Sequence, residues 1–417
     1  MHGVHQGCRL VSKFYPSLAH TDMMGYLNGH GQRRLMSIRK LLPPDMSKRF
    51  LTSLSFDESI HYRLTELDGD PWASELPEVQ QIEEIFVDCG AFHYSRMKVP
   101  RFRGGGFVSA LTSIEEYRKR HLSREAGCSY LLCSPDHIIP PNAEDDMADA
   151  RTEFTLVAAN EFIEFSENED RATPVGVVHG RTEEERASMT QALIDIGYDY
   201  IAFGGLVPLA GNQSKVLGQL TGNIDLADIS IEPDSPLGIA RAAGARTHMF
   251  GLTSPDWYRW WKRLGVDSFD GSKLSYEGAA SGVIWLENEF PSNEFPSSAK
   301  QLYRRLQVKM IKERRMVSDG DLAHLKVSDD GAMAPENPAW RYLMSSRCTS
   351  PTCPHGPQSH APDPRVVGSI EHNMGRTLLN AWTFDSIMKR IDDICERAKT
   401  PGDDENLQAN WSPIEVE

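Results

Sequence analysis

Short apolar runs alternate with longer amphipathic ones through the middle of the chain. Residues 84–87, 129–133, 174–178, 200–203, 247–250 and 266–269 are compact and mostly apolar. They are followed in turn by Asp88, Ser134-Pro135-Asp136-His137, His179-Gly180, Gly204-Gly205, Gly251 and Asp270-Gly271. Runs of that length, bounded by turn residues, predict buried strands of a parallel sheet. Between them, 113–124, 143–165 and 182–196 have helical periodicity. The first opens on Ser113 with Glu115 and Glu116 in its first turn. The third opens on Thr182 followed by three glutamates and stops near Gly197, both being strong helix punctuation. Ser254-Pro255-Asp256 reads as another helix start. The repeated strand–loop–helix order predicts an α/β fold of (β/α)8 TIM-barrel type rather than a doubly wound sheet. No Gly-x-Gly-x-x-Gly follows a strand, which weakens a dinucleotide-binding reading. Gly104-Gly105-Gly106, flanked by Arg101 and Arg103, reads as a lid loop.

Two strand ends carry a carboxylate: Phe86-Val87-Asp88-Cys89-Gly90 and Ser268-Phe269-Asp270-Gly271. The carboxyl ends of parallel strands are where α/β folds place their chemistry. Two aspartates there suit the nucleophile and acid/base roles at a glycosidic bond. Taken singly, each also fits a loop cap, because Asp and Gly dominate turns.

Composition narrows the class. A chain of 417 residues holds one large barrel with an appendage, or two to three ordinary domains. No stretch is long and apolar enough to span a membrane, and the N-terminal residues lack the apolar core of a secretory signal. Seven scattered cysteines point to a reducing, cytoplasmic setting. A formal charge of -15 is unfavourable for a nucleic-acid enzyme unless the cations are gathered on one face.

Five segments, in order, resemble the tRNA-guanine transglycosylase superfamily. Asp88-Cys89-Gly90-Ala91-Phe92-His93 is similar to its Asp-Ser-Gly-Gly-aromatic-Gln signature, and Gly176-Val177-Val178-His179-Gly180 to its Gly-x-Val-Gln-Gly strand end. Phe203-Gly204-Gly205-Leu206-Val207-Pro208-Leu209 resembles its Gly-Gly loop in the Val-Pro-Leu form of archaeosine-type members. His248-Met249-Phe250-Gly251-Leu252 and Gly265-Val266-Asp267-Ser268-Phe269-Asp270 resemble the last two segments. The resemblance covers residues 84–272 and implies a TIM barrel, a structural zinc and exchange of guanine for a 7-deazaguanine base.

The residue roles it implies agree with their chemistry. Asp270 would attack C1′ and form a glycosyl-aspartate, and Asp88 would act as acid/base. Asp136 would accept the N1–H and 2-amino donors of a guanine-like ring. His179 stands where the family has Gln, so it offers a single donor to the base carbonyl and alters the basis of base selectivity. Gly204 and Gly205 would let main-chain amides approach the heterocycle, and Phe92 offers a stacking face or a place in the barrel core. Cys348 and Cys353 occupy the first and third cysteines of the family's Cys-x-Cys-x-x-Cys, with Ser350 at the second, and His372-Asn373 resembles the fourth ligand. Tetrahedral zinc needs four N or S ligands. His355 is the nearest replacement for the missing thiolate, and His360 the next.

These readings divide the chain into 1–83, an N-terminal segment contributing the first barrel elements; 84–340, the TIM-barrel catalytic domain; 341–399, a zinc-binding subdomain with a closing helix near 376–399; and 400–417, a flexible tail. The most basic stretch, with Arg304, Arg305, Lys309 and Arg315, is expected to form a helix whose cations follow a phosphate backbone. The divergent cysteine motif, the Ser-Pro-Asp-His strand end and the lack of an RNA-reading domain resemble most the DNA-acting 7-deazaguanine transglycosylase paralogues (DpdA type). That resemblance implies insertion of preQ0 into DNA within a modification and restriction system, helped by a partner ATPase. The alternatives are a tRNA transglycosylase of archaeosine or queuosine type and a non-catalytic barrel subunit.

Overall fold

The computed structural model describes residues 12–17, 26–27, 33–34, 42–55, 82–123, 127–166, 168–281, 283–290, 295–307 and 370–399. Eight strands form a single sheet in which every neighbouring pair is parallel. They are β1 (Lys13–Pro16), β2 (Arg49–Ser53), β3 (Glu84–Asp88), β4 (Ser129–Cys133), β5 (Ala172–Val178), β6 (Tyr200–Phe203), β7 (Arg246–Met249) and β8 (Ser268–Gly271). They follow one another in chain order from β2 to β8, and β8 pairs with β1, Lys13 lying opposite Ser268. A bridge between Ser17 and Leu51 joins β1 to β2 and brings the ring together. This is the (β/α)8 barrel that the alternation predicts. Its first two strands come from ahead of residue 84.

Helices cover the outside: α1 (Ala110–Tyr117), α2 (Asp145–Ser166), α3 (Glu183–Ile196), α4 (Gln213–Thr221), α5 (Pro236–Ala242) and α6 (Pro255–Arg263). Their ends follow the local chemistry. Thr182 Oγ1 accepts the Glu185 N–H, and Gly197 closes α3 in the left-handed region at φ 114°, where only glycine is unstrained. Ser254 caps α6 through the Trp257 N–H, with Pro255 at the first helical position. The start of α1 departs from expectation. Ser109, not Ser113, is the cap, in a reciprocal pair with Thr112. Ser113 already lies inside the helix, donating its N–H to Ser109 O. The helix then loosens into a wider π turn over Arg118–Leu122.

Two packed regions result. Inside the barrel, Tyr15, Leu51, Phe86, Leu131, Val175, Val177 and Ala202 interdigitate, as alternate inward positions must. At the amino-terminal end of the strands, Glu84 accepts hydrogen bonds from Lys13 and the Tyr15 hydroxyl. Between sheet and helices lies the larger core, which includes Ile85, Val87, Phe203, Trp257 and Trp261.

After β8 the chain forms a hairpin, β9 (Val283–Glu287) with β10 (Tyr303–Gln307). This corrects the expectation of a basic helix beginning at Arg304. The one-turn helix Ala299–Leu302 ends where Tyr303 turns extended, at φ −157°. The Tyr303 and Trp285 rings then meet 5.3 Å apart, and aromatic pairs of this kind favour neighbouring strands over a helix. Arg305 makes a two-point ion pair with the buried carboxylate of Glu277; Arg304 is exposed. Lys309 and Arg315 lie outside the described residues.

Helix α7 (Ile370–Lys399) seals this end, beginning earlier than the expected 376. Phe384 packs against Phe14, Phe269, Tyr258 and Trp285, and Asn380 accepts the Trp285 N–H while donating to Val283 O. Burying a ring of that size contributes about 1.5–3 kcal/mol. Among the described residues, no helix is long and apolar enough to cross a membrane.

Candidate active site

The predicted site residues Asp88, Asp136, His179, Gly204, Gly205 and Asp270 all lie at the carboxyl ends of the barrel strands or in the turns just beyond them. Asp88 ends β3. Its Oδ2 accepts the Ser53 hydroxyl at 2.9 Å from the matching end of β2. Burial, then the charge of Asp136, push its carboxyl up to about 7, although hydrogen bonds from Ser53 and the Gly90 N–H pull the other way. A carboxyl in that range exists in both forms near neutrality.

Asp136 is buried two residues past Ser134. The Cys89 thiol donates to its Oδ1 at 2.7 Å, and His179 Nε2 lies 2.5 Å from its Oδ2. The Cys89 thiol is pushed well up by burial and by the Asp136 charge, so it stays protonated and acts as a donor. His179 Nδ1 has no partner among the described residues. The turn after β6 is shaped around this imidazole. A Cβ at position 204 would stand 2.6 Å from His179 Cε1, so only glycine leaves the ring where it is. Below the same turn the buried guanidinium of Arg186 donates to Gly204 O at 2.8 Å and to Gln219 Oε1 at 3.1 Å. Burial lowers its pKa to about 10, leaving it cationic at neutral pH.

Asp270 ends β8. Its Oδ1 accepts the Gly251 N–H at 2.9 Å and lies 3.3 Å from His248 Nε2. Among the described residues its Oδ2 carries no hydrogen bond. Gly271 is obligatory here, because a Cβ would stand 1.9 Å from Thr253 Oγ1, the hydroxyl that donates to Asp270 O. Asp267, the other carboxylate of this segment, accepts the Thr247 N–H and sits at the opposite end of the strands.

The rim of the mouth is apolar and open. Phe92 is 85% exposed, which excludes the barrel-core alternative for it, and Phe107, Val207 and Tyr276 are exposed on other loops that follow strands. The glycine-rich loop turns tightly between Arg101 and Phe107, with the Arg101 guanidinium 3.8 Å above the Phe107 ring. A cleft of about 490 Å3 lies beside the mouth, lined by Gln213, Asp256, Lys273 and Tyr303 among others.

As for metals, Asp88, Cys89 and Asp136 bring their donor atoms within 4.8 Å of one another. The hydrogen bond between thiol and carboxylate already occupies two of these groups. The expected zinc ligands Cys348, Cys353 and His355, and His360 as the substitute, lie outside the described residues; so does the side chain of His372, whose backbone is in α7.

Sequence reasoning missed four members of this site: Ser53, Cys89, Arg186 and His248. Cys89 and His248 stood inside quoted segments and went unread. Arg186 follows three glutamates in a helix start and reads as part of a solvated face. Ser53 comes from a strand that was not picked out.

No protein-family model matches the chain. A curated protein of Salmonella montevideo, named DNA-guanine transglycosylase, is 26% identical over 233 residues, covering 54% of this chain and 50% of that protein. The chain thus spans about half the length of the relative it matches. This similarity supports a relationship to the guanine transglycosylases.

Proposed function

We propose that this chain is a DNA base-exchange transglycosylase, a pentosyltransferase that replaces guanine with the 7-deazaguanine preQ0 as part of a DNA modification and restriction system. The observation that carries the reading is the contrast between two carboxylates at one barrel mouth. Asp88 has a carboxyl raised to about 7, and Asp270 is anchored through Oδ1 alone.

Oδ2 of Asp270 attacks C1′ as the C1′–N9 bond breaks. The bonding pair leaves on guanine, and Asp88 supplies the proton that the departing base needs. The incoming base then gives its N9 proton to Asp88, and N9 attacks C1′. The ester bond breaks and the Asp270 carboxylate is restored. Divided in this way, acid and nucleophile differ by environment rather than by residue type. Asp136, with one hydrogen bond already on each oxygen, keeps a lone pair on each for the N1–H and 2-amino groups. His179, Gly204 and Gly205 bound the same heterocycle, and Phe92 stacks on it.

The exposed aromatic rim supports a nucleic-acid substrate, since bases stack on such side chains without regard to sequence. A duplex must release its guanine by flipping, at a cost of a few kcal/mol. A chain of net charge −15 gains from a second, ATP-using protein that opens the strands. Arg304, Lys309 and Arg315 would contact the backbone, and Cys348, Cys353, His355 and His372 would hold a zinc whose chemistry is structural.

The test is incubation of the purified chain with labelled preQ0 and either DNA or tRNA, with and without the other proteins of the modification system. Label in DNA is the expected result. Label in tRNA with none in DNA would transfer the reading to a tRNA transglycosylase. Label in neither would leave a non-catalytic barrel subunit.

A further inference from the structure

Behind Asp270 runs a buried chain of hydrogen bonds that the reaction above does not use. Tyr200 OH lies 2.6 Å from Ser268 Oγ, Ser268 Oγ lies 2.7 Å from His248 Nδ1, and His248 Nε2 reaches Asp270 Oδ1. Tyr200, Ser268 and His248 are all buried. The imidazole is clamped by Phe86, stacked 4.2 Å away, and by the edge contact of Phe250 at 4.7 Å.

We propose that Tyr200, Ser268 and His248 form a one-way hydrogen-bond chain that fixes His248 as the Nε2–H tautomer, pins Oδ1 of Asp270, and leaves Oδ2 as the attacking atom. The direction follows from donor counting. A carboxylate only accepts, so Nε2 must carry hydrogen. Burial lowers the imidazole's pKa, so the ring is neutral and Nδ1 is an acceptor. Ser268 must then donate to Nδ1, which leaves its oxygen to accept the Tyr200 proton. Burial also holds the Tyr200 phenol protonated. A neutral donor orients the carboxylate without cancelling its charge, as an imidazolium would. In the second half-reaction the same N–H and that of Gly251 stabilise the carboxylate as it leaves C1′. His248, Ser268 and Tyr200 are therefore positioning residues.

This inference rests on Asp270 being the nucleophile, and its test has one arm independent of catalysis. In protein labelled with 15N-histidine, the His248 resonance is the one lost in His248→Gln. At neutral pH it should report a neutral ring protonated at Nε2, with a titration displaced below that of a free imidazole, which titrates near about 6.5. Ser268→Ala should admit the other tautomer. In base exchange, Ser268→Ala should lower kcat on the order of 100-fold, the usual effect of a misplaced reacting group, with little change in KM. His248→Gln, which keeps an N–H donor, should retain more activity than His248→Phe. Tyr200→Phe should weaken the tautomer preference without removing it, so a failure of Ser268→Ala to fold does not end the test. An Nδ1-protonated or charged ring in the wild type, or an unchanged kcat in Ser268→Ala, would overturn the inference. If the wild type exchanges no base, it is the proposed function that fails, and the tautomer still decides the chain.

Discussion

His179 Nε2 and Asp136 Oδ2 stand 2.5 Å apart at neighbouring strand ends, and a single missing methyl group at Gly204 makes the arrangement possible. The imidazole is gripped from one side by the carboxylate and from the other by the bare backbone of the β6 turn. In the proposed reaction this histidine would act on the base partly through Asp136, the carboxylate it contacts. Gly204→Ala should displace the ring and raise KM for the incoming base about tenfold or more, a shift of the size expected for one lost buried hydrogen bond. Gly211→Ala, where a Cβ meets nothing within 4 Å, is the control. Competition between guanine and preQ0 in the His179→Gln variant should show altered selectivity, and equal selectivity would detach His179 from base reading.

Asp270 and Asp267 lie three residues apart yet face opposite ends of the barrel. Asp270→Asn should abolish exchange and leave the thermal transition near wild type, because an amide cannot form the glycosyl ester. Asp267→Asn should do the reverse, weakening the Thr247 contact while exchange continues. Trapping of a nucleic-acid adduct on denaturing gels distinguishes the two.

The carboxyl of Asp88, raised to about 7, should give the proposed exchange an alkaline limb near neutrality, since its first step would need the protonated form. Ser53 donates to the ionised carboxylate and so lowers this pKa. Ser53→Ala should therefore move the limb to higher pH. The linkage to stability runs in the matching direction. The folded state holds a proton that the unfolded chain has released above about pH 4. The Asp88 contribution to stability should therefore be complete below about pH 4, decline as pH rises toward 7, and stay flat beyond. Chemical denaturation across that window, in wild type and Asp88→Asn, measures it.

Arg304 and Arg305 are adjacent in sequence and differ in commitment. Arg305 pairs with the buried carboxylate of Glu277, which also accepts the Trp285 indole N–H, so Arg305→Glu should destabilise the fold by about 1–3 kcal/mol. Arg304→Glu should leave stability alone and, if the hairpin borders the nucleic acid, flatten the salt dependence of DNA binding. Thermal melts and a salt titration of binding separate these effects.

Much of the barrel was legible because its grammar is local. The strands at 129–133 and 200–203 are bounded by their own turn residues, and Thr182 and Gly197 punctuate α3 as written. Strand carboxyl ends therefore mark Asp88, Asp136 and Asp270 in the sequence itself. Features that depend on burial were not legible. Nothing local marks Arg186 as an interior cation or Cys89 as a donor to a carboxylate 47 residues away. The Ser113 cap failed because Ser109 offered an equivalent signal four residues earlier. The basic stretch misled because charge count carries no period, whereas the Trp285–Tyr303 contact across the hairpin did decide the conformation.

The pairing of β1 with β8 has a consequence for how the chain is made. Lys13–Pro16 finds its long partner only at Ser268–Gly271, so the first strand leaves the ribosome some 250 residues ahead of it. At bacterial-like translation speeds of about 5–20 residues per second, that is a wait on the order of ten to fifty seconds. For that interval one strand of the future barrel has an open flank, available to other nascent chains. Expression yield should therefore respond to slower elongation and to chaperone supply more than the finished fold's stability would suggest.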